Sequence, residues 1–224
     1  MNGCLAGGPD GWLLDPAGAA IHPSERVAVV ADVHLGYEWA REAGGDCLPE
    51  HSLAETISKL EGVLRRAPVD LTRLVVAGDL VESPRPCVRT SRAVVDLSRW
   101  LGTRGVVLDA LKGNHDPPGR GARTALEVAG WTIAHGDRPL NAPRTITGHL
   151  HPRLRISNVN APCFVIGPTS ILLPAFSPNA AGVNLKALNL IGRPDGHALR
   201  CVATADDLLL DLGPLPELLI SLKR

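Results

Sequence analysis

Five times between residues 26 and 152, a short apolar run ends within a few residues in Asp, Asn or His. RVAVVA (26–31) leads to Asp32 and His34, and LVVA (74–77) leads to Asp79. GVVLDAL (105–111) leads to Asn114 and His115, WTIA (131–134) to His135, and RTIT (144–147) to His149 and His151. Short β-branched runs of this kind read as buried strands. Two helical patterns lie between the first three. SLAETISKLEGVLRR (52–66) sets Leu53, Ile57, Leu60, Val63 and Leu64 on one face, and Ser52 and Glu55 have capping-box spacing. TSRAVVDLSRWLG (90–102) aligns Val94, Leu97 and Leu101, with Gly102 placed to end the helix. Strand, helix, strand in that order predicts right-handed crossovers and parallel pairing. In such sheets the loops at the carboxyl ends of the strands converge on one crevice, so polar residues far apart in the chain are expected to meet there.

After WTIA the helical periodicity fades. CFVI (163–166), ILLPAF (171–176), VNLKALNL (183–190) and HALRCVA (197–203) follow as candidates for mixed or antiparallel strands. The expected fold is α/β, with two packed mixed β-sheets flanked by helices. At 224 residues and 45% hydrophobic, the chain can bury one sizeable core but is short for two domains. A single domain over 1–224 is therefore expected, with the Asp/Asn/His motifs in 27–152 and later strands of the second sheet in 153–224. The Pro/Gly stretches at 84–86 and 117–121 read as loops. Leucine-rich LLLDLGPLPELLISLK (208–223), broken by two prolines, is expected to cover part of the core.

Charge narrows the possible partners. Lys plus Arg equals Asp plus Glu at 23 each, so no global basic field advertises nucleic acid or an anionic membrane, and phosphate recognition has to be local. The five cysteines are odd in number and scattered, which predicts reduced thiols and a cytoplasmic location. The first residues, MNGCLAGGPDG, lack the basic and apolar regions of a signal peptide, and no apolar stretch reaches membrane-spanning length.

The residue types suit a pair of divalent cations about 3.5–4 Å apart. Asp79 fits the shared anionic ligand. Asp32, His34 and His151 would complete one ion, and Asn114, His135 and His149 the other. D-x-H and H-x-H each send two side chains to one side if extended. Mixed imidazole, amide and carboxylate donors favour Mn, Zn or Fe over Mg or Ca. Two such cations make water nucleophilic near neutral pH and attract a phosphate without a basic protein surface. Taken singly, D-x-H or G-D often only caps a turn. The ordered set is much harder to attribute to chance, and it takes up five of the eight histidines. His22, His51 and His197 lie outside it and are expected to serve packing or surface roles.

D-x-H, G-D, G-N-H-D, H and G-H-x-H in this order resemble the calcineurin-like metallophosphoesterase superfamily over residues 27–152. The resemblance implies a four-layer αββα fold and a dinuclear phosphoesterase. Its metal ligands would be Asp32, His34, Asp79, Asn114, His135, His149 and His151. His115 would assist the leaving-group oxygen, with Asp116 able to orient it. The short length and PAFSP (174–178) look most like small prokaryotic phosphoesterases related to the nuclease subunit of double-strand-break repair complexes, including proteins associated with DNA ligases. The implied substrate is a phosphodiester or nucleotide-like compound. A nuclease acting on nucleic-acid ends is one alternative, and a non-catalytic interaction scaffold on the same fold is another.

Substrate contacts are expected from a local run of arginines. Residues 118–155 hold six arginines against Glu127 and Asp137. Of these Arg120, Arg123 and Arg153 are the candidates, together with Tyr37 in the loop after the first ligand pair, where Trp39 and Arg41 also stand. Glu82, three residues after Asp79, either supports the ligands or repels a phosphate monoester, and the sequence leaves both open.

Overall fold

The computed structural model describes residues 5–117, 123–156, 158–190 and 195–222. One sheet holds β1 (Ala6–Gly7), β2 (Leu13–Asp15), β3 (Ala19–His22), β4 (Val27–Val30), β5 (Arg73–Val76) and β6 (Val107–Ala110), hydrogen-bonded in that order. The N-terminal strands pair antiparallel, and β4, β5 and β6 run parallel as expected. Helix α1 (Tyr37–Glu42) and helix α2 (Ser52–Arg66) link β4 to β5, and α3 (Val88–Gly102) links β5 to β6.

The second sheet contains β7 (Ala125–Val128), β8 (Trp131–Ala134), β9 (Thr145–Thr147), β10 (Pro152–Ile156), β11 (Val159–Ile166), β12 (Ser170–Leu172), β13 (Val183–Asn184), β14 (Arg200–Ala205) and β15 (Leu208–Pro214). Its path is β13-β10-β11-β12-β9-β8-β7, with β14 pairing β11 and β15. Helix α4 (Leu215–Ser221) follows β15. Among the described residues no helix is long and apolar enough to cross a membrane.

Alternation along single strands shows why the layers stack. Val27 and Val29 of β4 enter the core between the sheets, while Ala28 and Val30 enter the core under α2 and α3. A strand buried on both faces reads as a continuous apolar run, which explains RVAVVA. In the second sheet Phe164 and Ile166 face the first sheet, beside Trp131, Ile133 and Ile146. Cys163 and Val165 face outward and are covered by Leu212, Leu215 and Leu218, so the leucine-rich C-terminal segment does cover the core. The result is helix, sheet, sheet, helix.

Several local expectations need correction. Ser52 does not cap α2: His51 holds the cap position, and no side chain caps there. The Ser52 hydroxyl instead donates to Glu38 Oε1 at 2.9 Å and accepts from the Gly36 amide at 3.1 Å, tying the helix to the segment after His34. Gly102 does end α3, as its last helical residue, but the left-handed turn comes only at Gly105 (φ 72°). VNLKALNL is strand only at Val183–Asn184, because Asn184 accepts from the Lys186 amide and starts a 3₁₀ turn over Leu185–Ala187. In ILLPAF only Ile171 and Leu172 lie in strand, at the end of β12. Most of the 117–121 stretch lies outside the described residues.

Candidate metal centre

Register brings the polar residues to one level. Val30, Val76 and Ala110, the last residues of β4, β5 and β6, are cross-strand partners. Ala134 of β8 pairs with Thr147 of β9 in the same way. The loops bearing Asp32, His34, Asp79 and Asn114 therefore leave one sheet together, and those bearing His135, His149 and His151 leave the other.

The side chains form two groups. In one, Asp32, His34 and His151 offer atoms within 4.8 Å of one another, with Asp32 Oδ1 lying 3.1 Å from His151 Nε2. In the other, His135 Nε2 lies 2.8 Å from Asn114 Oδ1, 3.1 Å from His149 Nδ1 and 3.3 Å from Asp79 Oδ2. By distance it is Asp32 Oδ1, 3.6 Å from His135 Nδ1, that borders both groups, whereas Asp79 belongs with His135. Asp32, His34, Asp79 and His135 are buried, His149 and His151 are half-buried, and Asn114 is exposed at the rim.

Neither D-x-H nor H-x-H is extended. Asp32, His34, Asp79, His149 and His151 have φ of 57°, 53°, 52°, 67° and 43°, a left-handed region that L residues avoid. The paired residues still converge, through successive left-handed turns. Main-chain bonds hold these turns: Asp32 donates to Gly78 O, His34 to Asp79 O, and Ser177 of the PAFSP segment to Asp32 O. Gly113 and Gly148 are required for close approach, since a Cβ at the first would collide with the Asp79 carboxylate and at the second with Asp32 Oδ2.

A cation fits this donor set on structural grounds. Among the described residues six buried side-chain N/O atoms lack a hydrogen-bond partner, and four of them are Asp32 Oδ1, both ring nitrogens of His34, and His151 Nε2. Leaving such atoms unpaired costs about 1–3 kcal/mol each. Asp32 Oδ1, one nitrogen of His34 and His151 Nε2 lie within 4.8 Å of one another without aligning as donor and acceptor, as ligands that share a central ion do, while the other contact of His34, through Nδ1, is the Glu82 carboxylate at 3.0 Å.

Local electrostatics follow the same geometry. Burial works against the Asp79 charge, but hydrogen bonding and the charge of His135, with the His115 amide, hold its carboxyl below the ordinary range. For His135, burial opposes protonation, while Asp79 and Asp32 outweigh it and raise the imidazole. Burial and the neighbouring His135 lower His149. Burial, with the Asp79 charge adding to it, lifts Asp116 above the usual carboxylate range.

Asp116 does not orient His115. Its carboxylate accepts from the amides of Gly113 (2.8 Å), Asp79 (3.0 Å) and Val81 (3.3 Å), so it fixes the two ligand loops relative to each other. The partner of His115 Nδ1 is the main-chain oxygen of Glu82, at 2.6 Å. The side chain of Glu82 lies 3.0 Å from His34 Nδ1, the geometry of the ligand-supporting role that was one of the two the sequence left open.

The expected substrate contacts fare less well. Arg123 is paired with Asp109 at 2.9 Å. Arg153 spends its guanidinium on Asn160 and the Ala180 carbonyl. Arg144 and Arg138 sit beside Asp10 and Asp137, so part of the local arginine excess is neutralised. Tyr37 is half-buried at the start of α1, while Trp39 is engaged by Glu50 and Arg89. Arg120 lies outside the described residues. Beside Asn114 and His135 opens a cleft of ≈ 520 Å³, also lined by Lys112, Thr124 and Arg138. His22 packs edge-on against Trp12, and His51 and His197 are exposed, in line with the expectation for all three.

No family model matches the chain. It is 36% identical over 91 residues to the DNA double-strand break repair protein Mre11 of Methanopyrus kandleri, a stretch covering 41% of this chain. The chain spans only 19% of that protein's length. Among solved structures it resembles the nuclease MPE of Pseudomonas putida, with a TM-score of 0.69 and 21% identity, over 93% of this chain and all of the other. That likeness shows the fold.

Proposed function

We propose that this chain, which has the two-sheet fold of the metallophosphoesterases, hydrolyses phosphodiesters of nucleotide or nucleic-acid type with two divalent cations. The observation that carries the reading is the convergence of seven candidate ligands from both sheets around buried polar atoms that have no protein partner. Asp32, His34 and His151 would hold one ion, and Asp79, Asn114, His135 and His149 the other. Bound cations supply Lewis acidity toward phosphoryl oxygens and an acidified water. The donor chemistry suits Mn, Zn or Fe.

The protein's own part is to orient and to transfer a proton. With Nδ1 donating to the Glu82 carbonyl, the proton for the departing alkoxide would come from His115 Nε2, which requires the doubly protonated imidazolium form. Asp116 holds the loops of Asp79 and Asn114 in register from beneath. The cleft beside Asn114 gives a substrate arm somewhere to lie. Four free cysteines among the described residues support a cytoplasmic location.

A nuclease reading is favoured by the partial match to a DNA repair protein and by the fold shared with a nuclease. A non-catalytic scaffold would have no need to retain the full ligand set with His115. The test is chelation followed by return of Mn, Zn or Fe, with chromogenic phosphate mono- and diesters and DNA as substrates. Diester turnover that depends on added metal supports the reading. Absence of turnover with every metal and ester would leave the scaffold. DNA cleavage that falls steeply with salt would identify a nuclease, whereas salt-insensitive turnover of small esters alone would exclude it. Asp79→Ala is expected to lose metal.

A further inference from the structure

We propose that Glu82 is a positioning residue for two histidines at once, setting His34 through its carboxylate and His115 through its main-chain carbonyl. The inference rests on the metallophosphoesterase reading above and goes beyond it to a residue outside the ligand set.

Glu82 is held by its backbone before its side chain acts. The Glu82 amide donates to Leu35 O at 3.0 Å, the Leu35 amide to Leu80 O at 2.9 Å, and the His34 amide to Asp79 O at 3.0 Å. Residues 79–82 thus run beside 32–35 as a short parallel extension of the β4–β5 pair, with a Leu35–Val81 bridge. Asp116 secures the same strip through the Val81 amide. From this fixed point Glu82 reaches in two directions. Its Oε2 lies 3.0 Å from His34 Nδ1, and its own carbonyl oxygen lies 2.6 Å from His115 Nδ1. The two imidazoles stand edge to face, 5.1 Å apart.

The chemistry of each contact defines a proton position. A carbonyl can only accept, so His115 Nδ1 carries the hydrogen and Nε2 is the reactive nitrogen. The carboxylate meets His34 Nδ1 obliquely, and its charge still favours the proton there, leaving the Nε2 lone pair for an ion shared with Asp32 and His151. His34 is buried, whereas the Glu82 side chain is 23% exposed, so the carboxylate reaches the ligand from the wet side of the site. The two grips are separable by mutation. Replacing the side chain removes the hold on His34, while the carbonyl holding His115 belongs to the main chain and stays.

The test compares wild type, Glu82→Ala and Glu82→Gln by Mn(II) equilibrium dialysis, by the Co(II) absorption spectrum, and by diester hydrolysis across Mn(II) concentrations. Glu82→Ala is expected to weaken Mn(II) binding about 10–100-fold without changing the number of ions bound. Its Co(II) bands should shift, and its activity loss should shrink as Mn(II) is raised. Glu82→Gln keeps an oxygen acceptor and should restore most of the affinity. Three results overturn the proposal. The first is equal Mn(II) affinity in the alanine variant and a wild type that binds two ions, which defeats the role of Glu82 alone. The second is loss of one whole equivalent of Mn(II), which would make Glu82 a ligand of an accessory ion with His34 and His115. The third is a wild type that takes up no metal, which defeats the phosphoesterase reading and this one with it.

Discussion

Asp32, His34, Asp79, His149 and His151 share an unfavourable backbone conformation and, in three cases, unpaired buried atoms. Each strained residue costs about 1–3 kcal/mol, so together they offset a large part of the stability of an ordinary domain. Relief at one position should be measurable. His151→Gly is expected to raise the stability of metal-free protein by about 1 kcal/mol in urea denaturation, because glycine accepts the left-handed backbone. The same variant should lose part of the stabilisation by added metal; an unchanged response to metal would remove His151 from the ligand set. For His115, substitution by alanine should lower kcat about 10²–10⁴-fold while Mn(II) binding persists, as dialysis would show. At this scale the sequence revealed which residues assemble, because each follows a strand end. It did not reveal backbone handedness or side-chain aim. GNHD reads the same whether Asp116 faces His115 or, as found, three backbone amides. Arg153, a plausible phosphate grip by type, is spent on its own hairpin.

Helix α2 is fastened to the N-terminal hairpin by one buried ion pair. Arg66 Nε and Nη2 donate to the two carboxylate oxygens of Asp15, each at 2.8 Å, and neither side chain is more than 7% exposed. Removing one partner strands the other charge. Arg66→Met should therefore cost about 3–5 kcal/mol in chemical denaturation, and the double variant Arg66→Met with Asp15→Leu should recover much of it. A double variant as unstable as the single one would show that the pair does more than neutralise itself. The hairpin was not read from the sequence. Its turn, Asp15-Pro16-Ala17-Gly18, has the residues a tight turn needs, and Gly18 has φ 96°. The flanking LLD and AAIH are too short for a periodicity to stand out. β4 and β5 were readable because strands buried on both faces are almost uniformly apolar, and β6 by its β-branched start, although Val107 is exposed and the rest of that strand half-buried. β10 and β15 were not, since PRLRI and LLLDLGP mix charge and proline into strands exposed on one side.

The layers of the molecule also meet at Lys59. Its ammonium on α2 donates to the Phe176 carbonyl and lies 4.3 Å from that ring's centre, while the Phe176 amide donates to Ala31 O, one residue before Asp32. Burial lowers the amine from 10.5 to about 8, against the pull of Asp15 and Glu55. Between those values the unfolded chain binds more protons than the folded one, so this group adds stability as pH rises from about 8 to 10.5. The Cys163 thiol, raised by its hydrogen bond with Cys201 and by burial, works the opposite way above its ordinary 9.0. Lys59→Met isolates the amine: relative to wild type its denaturation free energy should lack the rise above pH 8, and parallel pH profiles would refute the assignment. For the whole chain, Mn(II) at about a hundred times its Kd should add about 2.7 kcal/mol to stability, read as a rise in Tm that chelator reverses. Two sheets flanked by helices were legible in strand and helix patterning, and the four-layer order in the family resemblance, whereas the helix Leu215–Ser221 and the second sheet's strand order rest on contacts between distant segments that no local pattern encodes. Asp32, His34, Asp79 and Asn114 hang from one sheet, and His135, His149 and His151 from the other. Any cation seated among them rivets the two sheets together, and a pulling force that peels them apart would have to shear it out, registering each ion as its own rupture event.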